Sequence, residues 1–66
     1  MYKIAEALKE HRESRNLSQQ KLAEECDLKQ QSISRWEKGI NVPDIISCIK
    51  LANYYGITLD ELIYLK

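Results

Sequence analysis

Residues 18–39 read SQQKLAEECDLKQQSISRWEKG, two helical patterns with a four-residue break between them. Ser18 is an N-cap residue whose hydroxyl can accept from the free amides of the next turn, so it predicts a helix over about residues 19–25 with Leu22, Ala23 and Cys26 turned inward. Cys26, Asp27, Leu28 and Lys29 form the connection. A second helix is expected from Gln30 to Lys38, and Gly39 stands where a helix end calls for a left-handed residue. Two short helices crossing steeply need a small residue at closest approach, here Ala23, and bulky ones to fill the corner, here Leu22, Leu28 and Ile33. Ile33 and Trp36 share one face of the second helix, which leaves it a broad polar face.

Working outward, Ile4, Ala5, Leu8 and the stem of Arg12 make an apolar stripe on a helix over about residues 2–14, and Asn16 breaks it. Downstream, residues 41–44 (NVPD) read as a turn with Asp44 capping a helix over about residues 45–55. Its expected inward stripe is Ile45, Cys48, Ile49, Ala52 and Tyr55. Gly56 ends that helix, and Thr58 with Glu61 forms a capping box opening a last helix that carries Leu59, Leu62 and Ile63. There is no repeat, linker or strand-like alternation, so the expectation is one all-α domain of five helices over residues 1–66, with the two-helix motif at about 18–38.

Composition agrees with a folded chain: 66 residues, 44% hydrophobic, 30% charged, two Gly and one Pro. Net charge is zero, which alone disfavours nucleic acid as a partner. The distribution matters more. Residues 29–38 carry Lys29, Arg35 and Lys38 against Glu37, a surplus of two, while the segments on either side are each at −1.

No apolar run is long enough for a membrane span, and the charged start MYKIAE is unlike a secretory signal, so the expected location is the cytoplasm. Cys26 and Cys48 occupy apolar positions, where a free thiol behaves as a small hydrophobe. His11 with these two cysteines lacks the ligand number and local spacing of a zinc site. No nucleophile–base pair or glycine-rich phosphate loop occurs, so neither an enzyme, a cofactor nor a small-molecule ligand is expected.

The residues Leu17-Ser18-Gln19, Leu22-Ala23, Ser32-Ile33-Ser34, Trp36-Glu37, Gly39, Pro43, Leu51-Ala52, Gly56-Ile57 and Leu59-Asp60-Glu61-Leu62, in this order, resemble the phage-repressor and Cro-like (Xre-like) helix-turn-helix family. The resemblance covers nearly the whole chain and implies a five-helix lambda-repressor-like DNA-binding fold. It further implies that the second motif helix enters the major groove of double-stranded DNA, with Gln30, Gln31, Ser32 and Arg35 at the base-reading positions. Polar residues on a short helix are by default a solvated face, and it is the resemblance that singles these out. Their chemistry is compatible: a Gln amide matches adenine N7 and N6, and an Arg matches guanine O6 and N7. For Arg35, phosphate or solvent fits as well as a base.

By the same resemblance Gln19 falls where the family holds a phosphate, and it can also buttress Gln30. Lys29, Ser34, Lys38 and Asn41 flank the reading face as further phosphate candidates. Arg12 and Glu37 are implied to form a largely buried ion pair. Two departures from the family stand out: Asp27 replaces the usual turn Gly, and Lys29 replaces the usual Ser or Thr cap.

One such module reads few base pairs, so a homodimer on an operator is expected, with Tyr54, Ile57, Tyr64 and Leu65 as its seam. The functional expectation is transcriptional regulation, most simply repression by occupying an operator. The alternatives are an antitoxin-like regulator and a protein-interaction module that no longer binds DNA.

Overall fold

A computed structural model describes residues 3–64. Five helices follow in order: α1 (Ile4–Glu13), α2 (Gln19–Cys26), α3 (Gln30–Glu37), α4 (Ile45–Tyr55) and α5 (Leu59–Ile63). No strand occurs among the described residues.

Each helix boundary has a local cause. Asn16, at φ 57°, turns the chain after α1. The Ser18 hydroxyl accepts from the Lys21 N–H at 3.0 Å and opens α2. Asp27 closes α2 in the left-handed region (φ 55°), and the Leu28 N–H reaches back to the Ala23 carbonyl at 2.9 Å. A non-glycine residue there carries a steric cost that Asp bears better than most. At the start of α3 Lys29 makes no side-chain cap, as the missing hydroxyl implies. Gly39, at φ 75°, lets the Ile40 N–H bond the Arg35 carbonyl at 3.0 Å and ends the motif. Asp44 accepts from the Ser47 N–H at 2.8 Å, and Thr58 and Glu61 form the reciprocal capping box.

The core is small and shared. Leu8, Leu22, Ala23, Ile33, Trp36, Leu51, Ala52 and Leu62, from all five helices, make one buried cluster with Cys26. α1 packs on α3 and α5, α2 on α3 and α4, and α4 on α5. Ile33, Leu51 and Leu62 are the largest fully buried side chains, and truncating any of them to Ala removes about 2–5 kcal/mol, a large share of a domain this size.

The inward face of α4 differs from expectation. Ser47, Leu51 and Ala52 are buried, with Cys48 and Tyr55 packed at the cluster's edge, whereas Ile45, Ile46 and Ile49 face outward. The helix is apolar nearly all round, so its pattern fits more than one phase. In α1, Ala7 is buried beside Leu8; in α5, Leu62 is fully buried, Ile63 packs against the cluster half-buried, and Leu59 is exposed.

Candidate nucleic-acid interface

α3 is held from behind and open in front. Ile33 and Trp36 sink into the core, while a shallow groove along the opposite side is lined by Gln19, Gln30, Gln31, Ser34, Arg35, Lys38 and Ile40. Gln30, Gln31, Arg35 and Lys38 are exposed, and Ser34 is half-buried. The helical period gathers positions 30, 31, 34, 35 and 38 on one side. Ser32 falls about a third of a turn away from their centre, is half-buried, and does not line the groove. Lys29 and Asn41 are exposed and also outside the lining.

A polar network fixes where α3 points. The Arg12 guanidinium donates from Nε to Glu37 Oε2 at 2.8 Å and from Nη2 to Glu37 Oε1 at 2.9 Å. Its Nη1 donates to the Leu17 carbonyl at 2.7 Å. The two side chains are 11% and 5% exposed, so this is a bidentate pair largely out of water, and each charge depends on the other. The bond to Glu37 raises the Arg12 pKa above its ordinary value. Glu37 lies in the last turn of α3, where the helix dipole disfavours an anion, which makes the guanidinium contact more necessary.

Gln19 joins the same network: its Nε2 donates to Glu37 Oε1 at 3.1 Å. The amide expected to buttress Gln30 is thus tied to the far end of α3, with its second N–H left to donate elsewhere. α1, the α1–α2 loop, the start of α2 and the end of α3 form one unit.

Sequence reasoning passed over a second cluster. The Arg15 guanidinium sits 4.1 Å from the Tyr55 ring centre, His11 stacks on the same ring at 5.7 Å, and His11 Nε2 meets the Glu61 carbonyl at 2.8 Å. The i, i+4 spacing of His11 and Arg15 was the available signal. Burial pushes the Tyr55 hydroxyl up to about 12.

Of the expected seam, Tyr54 and Tyr64 are exposed, Ile57 is half-buried against the core, and Leu65 lies outside the described residues. A larger apolar surface went unnoticed: Ile40, Val42, Ile45, Ile46 and Ile49 are all exposed. Cys26 and Cys48 are free thiols, both raised in pKa chiefly by burial. Among the described residues no three His, Cys, Asp or Glu side chains cluster as metal ligands, and no helix is long and apolar enough to cross a membrane.

The helix-turn-helix family model matches residues 8–62. The HTH-type transcriptional activator BcrR of Enterococcus faecalis is 34% identical over 58 residues, which is 88% of this chain and only 28% of that protein. A transcriptional regulator from Listeria innocua superimposes with a TM-score of 0.85 at 27% identity, covering 100% of this chain and 63% of that one. The restriction-modification controller protein C.AhdI from Aeromonas hydrophila gives 0.84 at 29% identity over 94% of each chain. The chain therefore spans about a quarter of BcrR and under two thirds of the Listeria protein, but nearly all of C.AhdI.

Proposed function

The chain belongs to the helix-turn-helix family of DNA-binding transcriptional regulators, and from that premise we propose that it occupies an operator as a homodimer, reading bases through α3 and acting most simply as a repressor. The observation that carries the reading is the geometry of α3. Its apolar face is buried, its end is clamped by Arg12 and Glu37, and Gln30, Gln31 and Arg35 stand together on the exposed face.

Gln30 and Gln31, in the first turn, are assigned to base edges, where a Gln amide pairs bidentately with adenine. Arg35, one turn on, reaches either a guanine or the backbone. Ser32 takes the least direct part because it lies off the groove. Gln19, through its second amide N–H, and Lys29, Ser34, Lys38 and Asn41 are assigned to phosphates, which set register without reading sequence. The local surplus of two positive charges over residues 29–38 supports binding in a chain of zero net charge.

Occupancy alone accounts for repression, since a bound dimer excludes polymerase from an overlapping promoter. The test is selection of bound duplexes from a random pool, followed by a reporter carrying the selected site. Enrichment of a site with two half-sites and lower expression with the protein present are expected. No enrichment at low salt would leave the protein-interaction alternative in place, and raised expression would assign activation.

A further inference from the structure

Beside the clamp that orients α3, the core keeps a small hollow. Its walls are mostly apolar core side chains, Leu8, Ile33 and Leu51 among them, but Glu37 and Tyr55 line it too. The space open to the centre of a water molecule is ≈ 10 Å³. That is at the lower limit of the roughly 10–15 Å³ that holds one water, and too little for a larger ligand. The Tyr55 hydroxyl oxygen is buried and has no hydrogen-bond partner among the described residues. A phenol taken out of water usually finds a partner, because an unmet hydroxyl forfeits its hydration without return.

We propose that this hollow is a binding site for one structural water, which accepts a hydrogen bond from the Tyr55 hydroxyl and donates one to Glu37 Oε2.

Counting acceptors names the oxygen. A carboxylate offers about four lone-pair sites, two on each oxygen. Among the described residues, Glu37 Oε1 already takes Arg12 Nη2 at 2.9 Å and Gln19 Nε2 at 3.1 Å, whereas Oε2 takes Arg12 Nε alone, at 2.8 Å. One site therefore remains, on Oε2. The direction of the chain follows from the chemistry of its ends: a carboxylate paired with a guanidinium can only accept, so the water donates to it and offers a lone pair to the phenol. Burial keeps the phenol proton in place, with the Tyr55 pKa pushed up to about 12. Two polar partners are the minimum for a buried water, and a hollow of this kind without them stays dry.

The water also joins two helices. α3 packs on α1 and α2, and α4 packs on α2 and α5, so the bridge gives α3 and α4 a polar link through Glu37 and Tyr55. The ring contacted by His11 and Arg15 is thereby connected to the Arg12–Glu37 pair. The site stands on the geometry of the core and is independent of what α3 binds.

Oxygen-17 relaxation dispersion, which counts waters held inside a protein for longer than nanoseconds, is measured on the full chain and on Tyr55→Phe. The Phe ring occupies the same place without the hydroxyl. The wild type should hold one more such water per chain than Tyr55→Phe. A high-resolution crystal structure of the wild type, which needs no substitution, should show that water within hydrogen-bond distance of both Tyr55 Oη and Glu37 Oε2. An equal count in the two proteins, a hollow without water density, or a Tyr55 hydroxyl bonded straight to Glu37 overturns the proposal.

Discussion

Arg12 and Glu37, 25 residues apart, meet through two parallel hydrogen bonds of 2.8 and 2.9 Å, and this pair joins the first helix to the end of the third. Removing either partner strands a charge in a nearly closed site, which costs about 3 kcal/mol. Arg12→Ala and Glu37→Ala should each lower the urea midpoint strongly. The pair Arg12→Met with Glu37→Leu should recover much of the loss, since both charges then leave the interior. A double variant no more stable than the singles would mean that the pair is not what links the helices.

Lys29 begins α3 without a side-chain cap. Lys29→Ser supplies the missing hydroxyl and should stabilise the protein by about 1 kcal/mol in thermal or urea unfolding. The same change removes a cation beside the proposed DNA face. Affinity for all duplexes should fall, and the slope of log K against log salt should shrink by about 1. An unchanged salt slope would remove Lys29 from the phosphate contacts.

Acid should act on the caps of α4 and α5. The Ser47 backbone bond holds the Asp44 carboxyl below its ordinary pKa, and the Thr58 backbone bond does the same for Glu61. Because the folded-state values are lowered, the unfolded chain takes up protons first. The stabilisation is therefore complete above the usual carboxylate range near pH 4 and is lost as pH falls through the lowered values. Asp44→Asn keeps a cap without a charge. Its melting temperature should vary less between pH 6 and 3 than that of the wild type.

In alkali one phenol should lag. Tyr55 is held neutral by burial, at about 12, so an ultraviolet titration should show a late ionisation that disappears in Tyr55→Phe. Here the folded-state value is raised, and stability declines as pH climbs above the ordinary phenol value near 10.

Where a residue's own chemistry sets the local structure, the sequence was enough. Ser18, Asp44 and Thr58 announce helix starts because their side chains bond the amides they precede. Gly39 and Gly56 announce helix ends because they accept positive φ. Ile33 and Trp36, three apart on an otherwise polar helix, reveal which side of α3 is buried. Where several answers satisfy the same pattern, it was not enough. α4 is apolar on nearly every side, and only packing against the other helices selects Leu51 for the core and leaves Ile45 and Ile49 in water. Gln19 has the right residue type for Gln30, for phosphate and for Glu37. Its contact with Glu37 depends on how α2 lies across α3, which no local signal encodes.

Whether α3 reads DNA is tested most directly by one comparison. Binding of wild type, Gln30→Ala and Lys38→Ala is measured on the selected operator and on its single-base variants across a range of salt. Gln30→Ala should lose about 1–3 kcal/mol at one base pair and become indifferent to its identity, whereas Lys38→Ala should weaken every duplex alike and flatten the salt slope by about 1. If Gln30→Ala binds all variants as the wild type does, the exposed face of α3 is not a reading surface.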